Sequence, residues 1–337
     1  MKYLASILLA FTAITMAQAQ KVVIYPKSGD AVTYNMSDLD HLEFIPADDA
    51  DNPVDKDVIV KELWCNRGEL KIFGKMYRPA GVADTQKLPA VILSHSANLN
   101  ADAMNVYATA IAKAGFCAYA FDFCGACDES RSDGNTADMT PFTEVDDLKA
   151  VIAAMKANDG VDASKICLLG SSLGGLVSAL TAEDASLGIA GLILFYPAFN
   201  IPELVAMMDK FGDMGGGFGD LGGFGDLGGF GDLGGFGMSY SEAFCNSMRN
   251  YDVYANIGTF AHKVLILHGS NDMIVKISYS EQAVDTYPDA TLITIDGANH
   301  GFNADNLGSF GSMMGGTADY DSQVIPHVIS YLDSYLR

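Results

Sequence analysis

Short, mostly apolar runs alternate with longer amphipathic segments from about residue 88 onward, and this alternation restricts the fold more than any other feature. The runs predict strands over Pro89–Leu93, Cys117–Phe121, Lys165–Leu169, Ala190–Phe195, Lys263–Leu267 and Ala290–Thr294. The amphipathic segments predict helices over Ala101–Ala114, Thr143–Ala157, Leu173–Ala185 and Ser322–Leu336. Apolar runs of this kind belong to a mostly parallel sheet that helices cover on both faces. The sequence therefore predicts an α/β fold, in which ligands bind at the carboxyl ends of the strands.

The sharpest local signal is Gly170-Ser171-Ser172-Leu173-Gly174, which joins a predicted strand to a predicted helix and matches G-x-S-x-G. A nucleophile at such a turn has strained backbone angles, so the residues two positions on either side must be small. The turn lifts the hydroxyl of Ser172 clear of the sheet. It also directs the N–H of Leu173 and the positive end of the helix towards a developing oxyanion. We therefore predict that Ser172 is a catalytic nucleophile.

A serine nucleophile needs a base, and the base needs an acid that orients it. Of the six histidines, His300 alone follows a strand on a glycine-flanked loop, and His268 ends a strand where a structural role is expected. Asp272 follows the preceding strand by a short loop. The order Ser172, Asp272, His300 is typical of a nucleophile on a strand–turn–helix elbow. Asp296 is the rival acid, but it lies at a strand end rather than on an opposing loop.

The second oxyanion donor is expected on the loop after the Pro89–Leu93 strand. We assign it to the backbone N–H of Ala97, beside that of Leu173. The usual pattern has glycine after the histidine of this loop, but here Ser96 follows His95. The bulk of Ser96 could narrow the pocket, and the alternative is that the loop has only a structural role.

Four segments together resemble the bacterial esterases of the cinnamoyl (feruloyl) type in the α/β-hydrolase superfamily. The segments are Phe121–Gly125 with Ser132–Gly134 and Met139–Thr140, Gly170–Gly175, His268–Asp272 with Ser278–Glu281, and Gly297–Phe302. The resemblance extends from about residue 60 to the end of the chain. It implies hydrolysis of esters between hydroxycinnamic acids and plant polysaccharides, through an acyl-enzyme and without a metal or another cofactor.

In that family the insertion after the sixth strand caps the acyl pocket, which here places a cap at about 197–262. The chain departs from the family at Ser96 and at a six-residue glycine repeat over about 214–237, with Phe218, Phe224, Phe230 and Phe236 in phase. The spacing differs from that of calcium-binding glycine repeats, so we expect a flexible loop without a metal. These departures leave the substrate open.

The first 19 residues have the pattern of a signal peptide. Lys2 precedes an apolar run over Tyr3–Met16, and Ala17-Gln18-Ala19 is a small-x-small cleavage site. No later stretch is long and apolar enough to span a bilayer. The sequence predicts an exported protein, periplasmic or extracellular, without a membrane anchor.

A small β module and linker is predicted over 20–57, ahead of a hydrolase domain over 58–337. Lys21–Tyr25 and Ala31–Tyr34 are its strands, with a turn at Ser28–Asp30 and a possible third strand at Leu42–Ile45. The polar segment Pro46–Pro53 is interpreted as the linker. The hydrolase domain begins with two further strands, Val58–Trp64 and Glu69–Tyr77.

The formal net charge of −22 argues against nucleic acid and against anionic lipid as partners. Cys117 and Cys167 lie in predicted central strands and are expected to be buried thiols. Cys124 and Cys127 form a C-x-x-C pair, for which a redox function is disfavoured and a local disulfide stays open.

The leading functional prediction is a serine carboxylic-ester hydrolase that acts on a small-molecule or carbohydrate-linked ester. A peptidase or acyltransferase with the same triad is the alternative, followed by a non-catalytic surface-binding protein. The sequence does not define the oligomeric state.

Overall fold

The computed structural model describes residues 21–24, 32–35, 57–212, 240–302 and 319–337. It divides the chain into two compact units, Met1–Asp55 and Lys56–Arg337. In the first unit, β1 (Lys21–Ile24) pairs antiparallel with β2 (Val32–Asn35), so that Lys21 lies opposite Asn35. The predicted signal peptide, the turn and third strand of the module, the linker over Pro46–Pro53 and the glycine repeat all lie outside the described residues.

The second unit contains eight described strands and eight described helices, numbered here in chain order. The strands are β3 (Val58–Arg67), β4 (Leu70–Pro79), β5 (Leu88–Ser94), β6 (Cys117–Phe121), β7 (Val161–Ser171), β8 (Gly191–Phe195), β9 (Val264–Gly269) and β10 (Ala290–Ile295). The helices are α1 (Asn105–Lys113), α2 (Pro141–Lys156), α3 (Leu173–Ala182), α4 (Ile201–Gly212), α5 (Glu242–Met248), α6 (Tyr254–Ile257), α7 (Ile277–Thr286) and α8 (Asp321–Tyr335).

The strands form one sheet in the order β10-β9-β8-β7-β5-β6-β4-β3. The strands from β5 to β10 are parallel, whereas β4 and β3 are antiparallel to their neighbours. This mostly parallel sheet with flanking helices is the α/β-hydrolase fold, which confirms the predicted fold class. Because β7, β8 and β9 are adjacent, the loops that come after them meet at one edge of the sheet.

The two faces of the sheet are buried in separate apolar layers. Ile92 of β5 lies in the layer that contains Leu148 of α2 and Leu176 of α3. Val91, one residue earlier in β5, lies in the layer that contains Ile111 of α1. Successive strand side chains point to opposite faces, so a strand that is buried on both sides has no polar alternation. This is the physical reason why the apolar runs predicted strands correctly.

Helix boundaries depend on local capping more closely than on apolar periodicity. The segment over 101–114 is not one continuous helix, since a 3₁₀ turn at Ala101–Met104 precedes α1. Helix α2 begins at Pro141, because the side chain of Thr140 accepts a hydrogen bond from the N–H of Thr143 in a capping box. Helix α7 was not predicted, because it is only 10 residues long and contains few apolar side chains.

The described part of the predicted cap insertion is helical and comprises α4, α5 and α6. Phe244 of α5 is fully buried and stacks on Tyr240, with ring centroids 4.2 Å apart. On α2, Phe142 meets Tyr251 of the insertion edge to face at 5.2 Å. None of the helices within the described ranges is long and apolar enough to cross a membrane.

Candidate active site

Ser172 lies on a strained turn between β7 and α3. Its φ of 52° and ψ of −115° are in a region that residues with a side chain seldom occupy. Two backbone hydrogen bonds of 2.9 Å hold this conformation, one from the N–H of Ser172 to the carbonyl of Phe195 and one from the N–H of Ala198 to the carbonyl of Ser172. The loop after β8 therefore supports the turn.

Glycine is required on both sides of Ser172 for steric reasons. A Cβ atom on Gly170 would lie 2.1 Å from the carbonyl oxygen of Gly174. A Cβ atom on Gly174 would lie 2.4 Å from the carbonyl oxygens of both Ser94 and His95. The second contact shows that α3 begins directly against the loop after β5, so the elbow and the predicted oxyanion loop are in contact.

Ser172, His300 and Asp272 come together at the carboxyl edge of the sheet. The Nε2 atom of His300 lies 3.0 Å from the Oγ atom of Ser172, across 128 residues of sequence. The Nδ1 atom of His300 lies 2.8 Å from the Oδ2 atom of Asp272. All three residues are buried, with exposed fractions of 6–8%. The hydroxyl, the imidazole and the carboxylate thus have the geometry of a nucleophile, a general base and an orienting acid.

Asp272 is held by more hydrogen bonds than the triad itself requires. Its Oδ1 atom accepts hydrogen bonds of 2.8 Å from the backbone N–H groups of Ile274 and Val275. Its Oδ2 atom lies 3.2 Å from the Nε2 atom of His268 as well as beside His300. Burial by itself would raise the pKa of Asp272, but the imidazoles of His300 and His268 beside it hold the pKa well below its usual range. The carboxylate is therefore ionised at neutral pH.

The rival acid Asp296 does not contact His300. Asp296 is exposed, and its Oδ1 atom accepts a hydrogen bond of 3.3 Å from the hydroxyl of Ser270. Of the two candidate acids, the structure places only Asp272 beside the imidazole.

One aromatic residue with positive φ packs on His300, and a second packs on the first. The ring of Tyr196, at φ 37°, has its centroid 4.5 Å from that of His300. Phe302, at φ 53°, meets Tyr196 edge to face at 4.8 Å. Strained backbone of this kind persists only where the surroundings hold it in place. The site thus contains three of the five non-glycine residues with positive φ in the part of the chain that the structure describes.

The predicted oxyanion donors lie on the two segments that meet at Gly174. Leu173 is the first residue of α3, so its N–H precedes the first intrahelical hydrogen bonds. Ala97 is half-buried on the loop after β5. The side chain of Ser96 turns towards β7, and its Oγ atom lies 3.0 Å from that of Ser171. Ser96 thus ties the oxyanion loop to the elbow strand.

His95 fixes the same loop from the side of β6. Its Nδ1 atom lies 2.8 Å from the carbonyl oxygen of Ser96, and its Nε2 atom accepts a hydrogen bond of 3.2 Å from the N–H of Phe123. Complete burial lowers the pKa of His95, so the ring is neutral with its hydrogen on Nδ1. His95 is a structural support of the loop rather than a base.

The C-x-x-C pair has no disulfide, since Cys124 and Cys127 are both free. Burial, with the nearby charge of Asp147, raises the pKa of Cys124 to about 12, and burial also raises that of Cys127. Thiols with a raised pKa are poor nucleophiles. Cys117 and Cys167 are fully buried in β6 and β7, as predicted.

Sequence reasoning missed the contact between His268 and Asp272 and the packing of Tyr196 on His300. The sequence did indicate the contact between His268 and Asp272, because the two residues are only four positions apart across a tight loop. Nothing in the sequence marked Tyr196, because its position depends on a positive φ that only the folded loop imposes.

Comparison with known proteins also points to serine hydrolases. Residues 85–215, less than half of the chain, match a family model described as serine aminopeptidase, S33. No curated protein matches the sequence. Many solved structures match, and we describe three of them, each of which shows the fold alone at its level of identity.

Est1E of Butyrivibrio proteoclasticus, solved with ferulic acid bound, is 23% identical with a TM-score of 0.58, and the match covers 75% of this chain and 97% of Est1E. An esterase of Pyrococcus furiosus is 19% identical with a TM-score of 0.60, covering 85% of this chain and 94% of the esterase. Alpha/beta hydrolase domain-containing protein 10 from mouse is 20% identical with a TM-score of 0.57, covering 75% of this chain and 96% of the mouse chain.

The fold, the family match and these neighbours confirm the resemblance to α/β-hydrolase esterases. The chain therefore has the α/β-hydrolase fold, and its residues 85–215 are similar to a family described as serine aminopeptidase, S33.

Proposed function

We propose that this protein is a carboxylic-ester hydrolase that acts through an acyl-enzyme on Ser172. The observation that carries the proposal is the buried chain of hydrogen bonds from Ser172 through His300 to Asp272, on a turn whose strained backbone directs the serine hydroxyl towards His300. Such a chain supplies a nucleophile, a base and an orienting acid in one place.

The proposed reaction begins with attack of the Ser172 Oγ atom on the ester carbonyl carbon, while the Nε2 atom of His300 takes the hydroxyl proton. The backbone N–H groups of Leu173 and Ala97 stabilise the resulting oxyanion. The carbon–oxygen bond to the alcohol then breaks, and the alcohol leaves with the proton from His300. His300 then takes a proton from water, which attacks the acyl-enzyme; the bond from the acyl carbon to Ser172 Oγ breaks, His300 returns the proton to Oγ, and the acid is released. Asp272 stabilises the imidazolium in both halves without taking the proton.

For the substrate, we propose esters of hydroxycinnamic acids linked to plant carbohydrate. Three observations support this choice. Four motifs resemble feruloyl-type esterases, Est1E was solved with ferulic acid bound, and the acid loop carries one exposed apolar side chain. At that loop Met273, next to Asp272, has 66% of its surface exposed. An apolar side chain at this position can contact an aromatic acyl group.

A peptidase is the second candidate, and the match to a family described as serine aminopeptidase favours it. The same triad can attack an amide, so the two candidates differ in the leaving group and in the pocket rather than in the nucleophile. Substrates with matched chromophores separate them.

The test compares three substrates on the purified protein: methyl ferulate, p-nitrophenyl acetate and an aminoacyl p-nitroanilide. We expect turnover of both esters, with a higher kcat/KM on the ferulate, and no turnover of the anilide. Preferential cleavage of the anilide would instead establish the peptidase. Turnover of acetate without ferulate would leave an esterase and refute the acyl group proposed.

Labelling with a fluorophosphonate probe tests the nucleophile independently of the substrate. Ser172→Ala is expected to abolish labelling, whereas Ser178→Ala is the matched control. Ser178 is a fully buried serine of α3 whose hydroxyl has no hydrogen-bond partner, so its loss leaves the site unchanged. Failure of the wild-type protein to react would favour the non-catalytic, surface-binding alternative.

We also propose that the protein is exported, on the pattern of residues 1–19. Expression of the full chain with a C-terminal tag in a bacterium, with subsequent fractionation and mass spectrometry of the N-terminus, tests this. We expect a mature chain that begins at Gln20 outside the cytoplasm, and an unprocessed chain in the cytoplasm would contradict the proposal.

A further inference from the structure

His268 is a fully buried residue near the end of β9, four positions before Asp272. Its Nε2 atom lies 2.8 Å from the carbonyl oxygen of Val275 and 3.2 Å from the Oδ2 atom of Asp272. A carbonyl and an ionised carboxylate only accept hydrogen bonds, so Nε2 carries a hydrogen. The Nδ1 atom lies 2.7 Å from the Oγ atom of Ser280 on α7, whose hydroxyl can donate to it.

Three hydrogen bonds and one close N···O contact, that of His268 with Asp272, therefore join five side chains in an unbroken line. The order is Ser172, His300, Asp272, His268 and Ser280, with separations of 3.0, 2.8, 3.2 and 2.7 Å. Both imidazoles meet the same oxygen, Oδ2 of Asp272. We propose that His268, itself held by Ser280, is a positioning residue that fixes the acid of the triad and weakens its pull on His300. This inference rests on the proposed catalysis by Ser172.

This contact has two physical effects. The first is orientation, since Oδ1 is held by two backbone N–H groups and Oδ2 by His268, so the carboxylate of Asp272 cannot rotate away from His300. The second is electrostatic. A donor from His268 withdraws negative charge from Oδ2, so the carboxylate stabilises protonated His300 less than it would alone. Without that donor the attraction between the carboxylate and protonated His300 would be stronger.

The other titratable groups near this line of side chains do not obscure such a change. Tyr196, after β8, packs on His300, but burial raises its pKa far above the working range and it stays neutral. Asp321 at the start of α8 accepts a hydrogen bond from the hydroxyl of Tyr107. Asp296 at the end of β10 is exposed and bonded to Ser270. From α7, the residue that faces His268 is Ser280, which does not titrate in this range.

The experiment measures the rate of fluorophosphonate labelling of the full chain between pH 5 and 9, for wild type and for His268→Leu. A purely structural role would lower the rate by one factor at every pH. The positioning role predicts a rate lower by about 10- to 100-fold, together with a half-maximal pH that is higher by about 0.5. His268→Gln restores an N–H donor beside Asp272 and is expected to recover most of both changes.

Ser280→Ala keeps the imidazole and removes only the hydroxyl that holds it, so it gives a result even if His268→Leu fails to fold. We expect a smaller change in the same direction, about two- to fivefold in rate, whereas the control Ser178→Ala stays at the wild-type value. Thermal melting shows which variants are folded. The inference is wrong if folded His268→Leu is labelled more slowly without a change in its pH profile. It is also wrong if Ser280→Ala and Ser178→Ala are labelled at the same rate. A wild-type protein that is not labelled at all would refute the proposed function, and this inference with it.

Discussion

Replacing Asp272 by Asn changes one atom of the site, and the hydrogen bonds around the carboxylate determine the effect of that change on catalysis. With the amide oxygen towards Ile274 and Val275, the amide NH₂ faces the N–H of His300 and that of His268. With the amide reversed, its NH₂ faces the two backbone N–H groups instead. Either orientation places donors against donors, so no arrangement of the amide restores the native pattern.

The least costly response is for His300 to move its hydrogen from Nδ1 to Nε2. The Nε2–H group then faces Ser172 and cannot accept the hydroxyl proton, so the base is lost while the geometry remains. By analogy with serine proteases we expect kcat to fall by about 10³- to 10⁴-fold, which corresponds to about 4–5.5 kcal/mol of transition-state stabilisation. The assay is the hydrolysis of p-nitrophenyl acetate at pH 7.5, with thermal melting to establish that the variant is folded.

Asp296→Asn is the matched control, since it makes the same substitution on the rival acid. Its carboxylate is exposed and bonded only weakly to Ser270, so we expect activity within about twofold of wild type. If Asp296→Asn proves the more damaging of the two, or if folded Asp272→Asn retains more than about a tenth of the activity, the assignment of the acid is wrong.

Three further changes test other parts of the structure. Tyr196→Ala removes the ring packed on His300 and should lower kcat about 10-fold or more. Tyr196→Phe keeps the ring and should have a kcat near that of wild type. An equal loss of kcat in both variants would contradict the packing argument. Gly174→Ala places a Cβ atom 2.4 Å from two carbonyl oxygens of the loop after β5, so we expect little folded, active protein, as soluble yield and labelling would show. Burial raises the pKa of Glu183 to about 7 in the folded protein. The contribution of Glu183 to the free energy of unfolding is therefore fully present below its usual pKa near 4.5, and it is lost as the pH rises through 7. Glu183→Gln should therefore raise the Tm relative to wild type by about 2 °C at pH 8 and not at pH 4, and an equal difference at both values would refute the pKa shift.

The strand pattern and the elbow were available from the sequence because both are local properties. An apolar run buried on two faces predicts a central strand wherever it occurs; β5, β6, β7 and β10 contain the predicted runs, and β8 and β9 begin one residue after the predicted starts. Gly170 and Gly174 indicated the strained turn, because only residues without a side chain fit there. The signal peptide, the glycine repeat, and the turn, third strand and linker of the small β module remain sequence predictions.

Chain order also brought Ser172, Asp272 and His300 into one prediction, since each comes after a strand whose carboxyl end lies at the same edge of the sheet. From the sequence, Asp272 could be preferred to Asp296 as the acid of the triad only by the type of loop on which each residue lies. The structure separates them, with one carboxylate 2.8 Å from the imidazole and the other bonded to Ser270.

The surroundings of the triad were decided by the tertiary structure alone. That His268 shares the Oδ2 atom of Asp272, and that Tyr196 packs on His300, depends on the adjacency of β8, β9 and β10 and on backbone angles in the loops after them. Apolar periodicity records which face of an element is buried, but it carries no information about which loops meet at the sheet edge. A hydrogen bond depends on distances of a few tenths of an ångström between such loops, so its partners become known only when the strands are packed side by side.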